Sequence, residues 1–206
     1  GRVLSVRCEI GQYLPSWRPD TDYRQGVSAR QELGGGVLME LSHELDYLRW
    51  ILGDVVWVTA WLGRQSALDV NVEDTAHLIL GFLCDASGRS PVAALSLDFI
   101  RHDTTRLCTV IGEKGSLRWN GLTNEVEVRG PGSAAWDRVL HYVSQRDDSY
   151  RAQLLHFLAC VQTGESPRVT GEDGLAVLAT IEAARQSAAA HGASVAIANF
   201  EKSPGI

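Results

Sequence analysis

The residues of this chain best suited to proton transfer are His43 and the two carboxylates spaced around it. Glu40 lies three positions before His43 and Asp46 three positions after it, so on a helix all three share one face. An imidazole, with an ordinary pKa of about 6.5, can accept or donate a proton at physiological pH. Either carboxylate could orient the ring and fix its tautomer. The alternative is a polar residue on the solvated face of a helix.

Two other kinds of site are disfavoured by spacing. His43-Glu44 could begin a zinc-binding helix, but the second histidine of that motif would fall at position 47, which is Tyr47. The glycines at positions 34–36 lack the preceding strand, the GxGxxG spacing and the Lys-Ser/Thr pair of a phosphate loop. They indicate a backbone that passes close to another group, which could be a substrate. No metal site is predicted.

Aromatic and guanidinium side chains are interleaved in residues 11–33, a polar stretch without periodicity. Loops of this length are usually functional or mobile. Aromatic rings suit the apolar faces of sugars, and guanidinium groups suit carboxylates or phosphates. We therefore expect Trp17, Arg18 and Tyr23 to enclose a polyhydroxylated or anionic ligand. The alternative is a loop that its aromatic residues hold in place.

The element that must position His43 is a helix predicted over residues 34–53. Leucines recur at alternating steps of three and four, which indicates one apolar stripe, and Gly53 is expected to end the helix as a left-handed C-cap. The stripe comprises Leu38, Leu41, Leu45, Leu48 and Leu52. A second face is predicted to carry Glu40, His43, Asp46, Tyr47 and Trp50.

The remaining pattern predicts one α+β domain over residues 1–206, an open, mostly antiparallel β-sheet with helices packed on one face. Thr170 and the acids after it give a capping signal for the last helix. Strands are predicted at residues 2–10, 54–65, 73–83, 91–100, 106–111, 116–119, 125–129 and 193–198, with a hairpin turn at 86–89, helices at 149–163 and 174–190, and a tail at 201–206.

Composition narrows the class of protein. A net charge of −6 and a pI near 5.5 argue against nucleic acid as a partner, and no apolar run reaches the roughly 18–20 residues of a membrane span. The chain opens directly on a strand pattern, as expected for a segment entered in mid-protein. The four cysteines are far apart and form no CxxC pair, which predicts buried, reduced thiols in a cytoplasmic protein. They are Cys8, Cys84, Cys108 and Cys160.

Taken in order, these residues resemble the C-terminal domain of the glucose–fructose oxidoreductase/inositol dehydrogenase (Gfo/Idh/MocA) family over nearly the whole chain. The block from the glycines to His43 is the specific part of the resemblance, and the other blocks support it by their order. The matching blocks are residues 13–19, 22–24, 34–48, 111–115, 150–157 and 169–174.

The resemblance implies a two-domain enzyme whose N-terminal Rossmann domain, absent from this chain, holds NAD or NADP. Hydride then passes between a carbinol carbon of a sugar, cyclitol or derivative and the nicotinamide. The proton passes through a lysine of the absent domain and a histidine that His43 matches. The family's usual acid lies four residues before that histidine, where this chain has Met39, and Glu40 lies three before.

Residues and resemblance together predict the substrate-binding half of an NAD(P)-dependent oxidoreductase that forms homo-oligomers through its sheet face. His43 is its predicted catalytic residue, and the chain by itself is expected to be inactive. The alternative is a non-catalytic carbohydrate-binding or oligomerisation module that kept the fold. The predicted substrate-binding residues are Trp17, Arg18, Tyr23, Glu40 and Asp46.

Overall fold

The chain folds around one nine-stranded sheet with the strand order β8-β7-β6-β5-β1-β4-β3-β2-β9. A computed structural model describes residues 1–85, 87–145 and 147–197. The strands are β1 (Val3–Gly11), β2 (Val55–Gly63), β3 (Thr75–Phe82), β4 (Val92–Asp98), β5 (Thr105–Gly112), β6 (Gly115–Asn120), β7 (Glu125–Arg129), β8 (Asp137–His141) and β9 (Val195–Ala196). The helices are α1 (Val37–Glu40), α2 (His43–Leu52), α3 (Asp148–Thr163) and α4 (Gly171–Ala189).

The sheet is open and mostly antiparallel, which confirms the predicted fold class. Among the described strand pairs only β1 with β4 is parallel. Burial alternates along β4, where Ala93, Leu95 and Leu97 face the core and their neighbours do not. Helix α4 packs on β2, where Ser187 Oγ accepts a hydrogen bond from the Ala60 amide at 2.8 Å.

The predicted 34–53 helix is two helices, α1 and α2, separated by a turn at Leu41 and Ser42. The amides of Glu44 and Leu45 donate three residues back, to the carbonyls of Leu41 and Ser42, which tightens the chain there. The turn makes His43 the first residue of its own helix, apart from Glu40. The leucine stripe is confirmed, with Leu38, Leu41, Leu45 and Leu48 buried and Leu52 partly buried.

The predicted second face of the helix is wrong for Tyr47. Its ring packs edge-on against Trp119 at 5.5 Å between centroids, and its hydroxyl donates to Cys8 Sγ at 3.2 Å. Trp50 does face outward and is 83% exposed. Gly53 ends α2 with φ 91° and ψ −171°, a positive φ outside the left-handed helical region expected of it.

Two parts of the sequence prediction are corrected by the structure, and a third lies partly outside the described residues. Residues 11–33, predicted as an irregular loop, contain four short 3₁₀ turns that bury Leu14 and Ala29. Strand β8 was not predicted, because all its residues are exposed and no buried face imposes alternation. The strand predicted to residue 198, the turn that includes Ala86 and the tail at 201–206 fall partly or wholly outside the described residues.

The cysteine prediction is confirmed for three residues and wrong for one. All four cysteines are free; Cys8, Cys108 and Cys160 are buried and Cys84 is exposed. Cys84 lies two residues after the end of β3, in the connection to β4, where the sheet no longer covers it. Within the described residues, no helix combines the length and apolar character needed to cross a membrane.

Helix α4 begins at Gly171, three residues earlier than predicted, behind a capping box. Thr170 Oγ1 accepts from the Asp173 amide at 3.3 Å, and Asp173 Oδ2 accepts from the Thr170 amide at 2.7 Å. Asp173 also receives Arg49 Nη1 at 2.7 Å, which ties α4 to α2. These bonds, with Arg49, hold the pKa of Asp173 down at about 2.

Thr170→Ala is expected to lower the free energy of unfolding by about 1 kcal/mol, because the amide of Asp173 loses its acceptor. Urea denaturation followed by circular dichroism measures the change. Thr104→Ala, at an exposed position, is the matched control and should stay within about 0.5 kcal/mol of the unchanged chain. Equal effects of the two substitutions would contradict a stabilising role for the cap.

Candidate active site

The glycines at positions 34–36 fold the chain back onto the preceding 3₁₀ turns. A Cβ atom at position 35 would lie 2.1 Å from the carbonyl oxygen of Val27, so only glycine fits there. Gly36 has φ 111° and is followed directly by α1. The close approach predicted from the glycines is thus confirmed, and the group approached is the protein's own backbone.

His43 lies at the start of α2 beside a buried carboxylate. Its Nε2 is 3.3 Å from Glu44 Oε1, and the side chain of Glu44 is 1% exposed while that of His43 is 47% exposed. Arg106, from β5, reaches the same oxygen with Nε at 2.9 Å and Nη2 at 2.7 Å. The strand therefore holds the acid, and the acid contacts the histidine.

The surroundings keep the imidazole uncharged. Loss of water around the inner part of the ring, together with the positive charge of Arg106, lowers the pKa of His43 to about 4. Burial raises the pKa of Glu44 above its usual value. The positive charge of Arg106 acts in the other direction but is the smaller effect. At neutral pH the His43 ring is consequently neutral and able to accept a proton.

Because its pKa is lowered in the folded protein, His43 should make the folded protein less stable in acid. The unfolded chain takes up the His43 proton at a higher pH than the folded chain, so stability falls as the pH drops from about 6.5 towards 4. Urea denaturation of His43→Gln across this range should show a smaller fall than the unchanged chain. His141→Gln, at an exposed position of β8, is the control. Identical pH profiles for all three proteins would contradict the shift.

The predicted site residues line two cavities. One, of about 490 Å³, is lined by His43 and Asp46 with Ser42 and residues at the start of α4. The other, of about 550 Å³, is lined by Trp17, Arg18, Tyr23 and Glu40 among others. The structure thus groups Glu40 with the aromatic and guanidinium residues, and the carboxylate in contact with His43 is Glu44.

Trp17 both lines the second cavity and fixes its wall. The indole Nε1 donates to the Gln12 carbonyl at 3.1 Å, and the ring meets Phe99 edge-on at 5.2 Å. Tyr23 is fixed by the Asp69 amide, which donates to its hydroxyl at 3.2 Å. Arg18 is exposed at the rim. The two aromatic side chains are thus held by contacts, whereas the Arg18 guanidinium has no hydrogen bond or ion pair among the described residues.

Sequence reasoning missed Glu44 and Arg106. A signal for Glu44 was present, because it lies three residues after Leu41 and four before Leu48, within the apolar stripe. A charged residue at such a position must find a partner inside the protein. Arg106 had no such signal, since sheet register alone brings it to α2. In the described part of the chain, no three His, Cys, Asp or Glu side chains are grouped as ligands for one metal ion.

Comparison with known proteins assigns the chain. The model of the oxidoreductase family's C-terminal α/β domain matches residues 1–197. Inositol 2-dehydrogenase 2 of Paenarthrobacter aurescens is 29% identical, over 83% of this chain and 53% of its own. D-xylose 1-dehydrogenase (NADP(+)) 2 of Haloferax volcanii is 28% identical, over 91% of this chain and 54% of its own. The chain thus spans about half the length of the curated relatives it matches.

A solved structure shows the same fold at low sequence identity. Levoglucosan dehydrogenase in complex with NADH and levoglucosan superposes with a TM-score of 0.80 at 19% identity, covering 97% of this chain and 60% of that one. At 19% identity this similarity is evidence for the fold alone. With the family match over almost the whole length, it leaves one assignment: the chain belongs to the Gfo/Idh/MocA oxidoreductase family and corresponds to its C-terminal α/β domain.

Proposed function

We propose that this chain is the substrate-binding half of an NAD(P)-dependent dehydrogenase in which His43 carries the proton. The observation that supports this most directly is a half-exposed histidine, neutral at pH 7, at the wall of a cavity. A polar residue on a solvated face would have neither the buried carboxylate nor the lowered pKa. General acid–base catalysis by such a group typically contributes about 10²–10⁴ in rate.

The substrate we propose is a sugar, a cyclitol or a derivative of one. The relatives include an inositol and a D-xylose dehydrogenase, and the second cavity offers two fixed rings, a guanidinium group and Glu40. Rings pack on apolar sugar faces, while charged groups accept or donate hydrogen bonds to hydroxyls. Trp17, Arg18, Tyr23 and Glu40 would enclose the substrate, and Asp46 would contact it from the cavity of His43.

The nicotinamide cofactor, NAD or NADP, would be held mainly by an N-terminal domain of the whole protein. When bound, it supplies the acceptor for the hydride of the carbinol carbon. The neutral His43 ring takes the hydroxyl proton as the carbonyl forms, and Glu44 stabilises the imidazolium.

An exposed apolar surface on helix α3 supports the presence of a second domain that covers it. Helix α3 buries only Cys160 of its side chains, while six large apolar ones are exposed. Such a patch on a soluble protein marks an interaction site. The exposed residues are Tyr150, Leu154, Leu155, Phe157, Leu158 and Val161. We assign this patch to the N-terminal domain.

We propose that homo-oligomers form through the open sheet face, where Trp61 and Ile79 are exposed. The free, buried thiols of Cys8 and Cys108 support a cytoplasmic location.

The test uses the whole gene product, including any sequence upstream of Gly1. Purified protein is incubated with NAD⁺ or NADP⁺ and either myo-inositol, D-xylose or levoglucosan, and formation of the reduced cofactor is followed by its absorbance. Turnover of at least one polyol is expected, with none from residues 1–206 alone. Binding of these compounds by calorimetry without any turnover would instead establish the non-catalytic carbohydrate-binding module.

A further inference from the structure

The side chain of Glu44, on α2, is held by Arg106 from strand β5. Its Oε1 receives both Nε and Nη2 of Arg106 at 2.9 and 2.7 Å. The guanidinium group of Arg106 lies over the Trp119 ring, 5.1 Å from its centroid, and Trp119 in turn meets Tyr47. One hydrogen bond from Nε and one close ion-pair contact from Nη2 of the same planar group leave the carboxylate little freedom.

The oxygen that receives Arg106 is also the one nearest to His43, 3.3 Å from Nε2. The contact is one of charge, since the two atoms are close but do not form an aligned hydrogen bond. The carboxylate, paired with Arg106, is negative and repels a nitrogen lone pair that faces it. The contact therefore favours the neutral tautomer whose proton is on Nε2. The unprotonated nitrogen is then Nδ1, the atom able to take a proton from a ligand.

Burying Glu44 lowers the stability of the fold, which argues that the residue has a role other than stabilising it. Its second oxygen, Oε2, is buried and has no hydrogen-bond partner among the described residues. A buried polar atom without a partner destabilises a fold, and an apolar side chain at a leucine-stripe position would avoid that cost. The contact with His43 is a role that an apolar side chain at this position could not fill.

The charged groups that face His43 come from two elements only, within the described residues. Glu44 and Asp46 belong to α2, and Arg106 to β5. The wall that α4 and the residues before it contribute to the cavity carries no ionisable side chain; it consists of Val169, Thr170, Gly171, Gly174, Leu175, Val177, Leu178 and Ile181. The tautomer of His43 is thus set locally, by Glu44 and Arg106.

We propose that Glu44, clamped by Arg106, is a positioning residue that holds the His43 ring with its proton on Nε2 and presents Nδ1 to the substrate. The inference rests on the proposed function of His43 as the proton carrier. Glu44 itself touches neither substrate nor cofactor in this arrangement.

Nitrogen-15 NMR of the histidine rings tests the proposal directly. Long-range ¹H–¹⁵N correlation at pH 7 distinguishes the two neutral tautomers, and His43→Gln identifies the signal. In the unchanged 206-residue chain the Nε2–H form should be the only one detected for His43. Detection of the Nδ1–H form would overturn the proposal without any substitution of Glu44.

Glu44→Leu removes the negative charge beside His43 Nε2 and suits a buried position on the leucine stripe. The Nδ1–H signal of His43 is expected to appear in this variant. Glu125→Leu is the matched control, because Glu125 also pairs with an arginine, Arg138 at 2.6 Å, but on the remote strands β7 and β8. An unchanged tautomer in folded Glu44→Leu would overturn the proposal; if that variant does not fold, the signal of the unchanged chain decides.

Kinetics of the whole protein separate this inference from the proposed function. Glu44→Leu should lower kcat by about 10–100-fold with KM changed less than about threefold, because a misaligned base affects the reaction more than binding. Full activity of His43→Gln would refute the proton-carrier role whatever the NMR shows. Activity lost in His43→Gln but fully kept in Glu44→Leu would refute the positioning role alone.

Discussion

His43→Ala in the whole protein is expected, on the proposed function, to lower kcat/KM by about 10²–10⁴-fold, the range typical for loss of a general acid or base. The reason is that alanine removes the imidazole to which we assign the hydroxyl proton. Glu44 cannot substitute, because it is buried and clamped by Arg106. Steady-state kinetics with the best substrate from the polyol panel give the measurement.

The pattern of the loss matters as much as its size. An interaction made in the transition state lowers kcat and kcat/KM together and leaves KM nearly unchanged. His141→Ala, on the exposed edge strand β8, is the matched control and should retain activity within about twofold. A fall in kcat/KM of less than about tenfold for His43→Ala would show that the acid/base assignment is wrong.

Phe99→Ala is expected to lower the free energy of unfolding by about 3–5 kcal/mol, the usual cost of truncating a buried phenylalanine. Phe99 directly follows β4 and is fully buried, with 0% exposure. Its ring supports Trp17 at 5.2 Å, and its carbonyl accepts from the Leu14 amide at 2.9 Å. The cavity left by alanine would therefore loosen the wall that carries Trp17 and Arg18.

Urea denaturation measures this loss, and Trp50→Ala is its control. Trp50 is a large aromatic residue of α2 but 83% exposed, so its truncation should change stability by less than about 0.5 kcal/mol. A loss of unfolding free energy below about 1 kcal/mol for Phe99→Ala would mean that the 3₁₀ turns of residues 11–33 are held by other contacts.

Much of the architecture was readable from local pattern. The leucine stripe predicted which side of α1 and α2 is buried, since burial of an apolar face dominates their packing. The alternation of β4 and the hairpin-length connections predicted an open antiparallel sheet, and Thr170 with its following acids predicted the start of α4 to within one turn. Strand β8 escaped because exposed residues carry no such pattern.

The sequence by itself determined that His43 lies at a helix with acids around it, and that Trp17, Arg18 and Tyr23 belong to one loop. Only the tertiary structure decided which acid contacts the histidine. The turn at Leu41 and Ser42 separates Glu40 from His43. The pairing of β5 with β1 brings Arg106 to Glu44, across 62 positions of the chain. Local spacing specifies which residues share an element, whereas a contact between elements depends on sheet register and packing, which no short motif encodes.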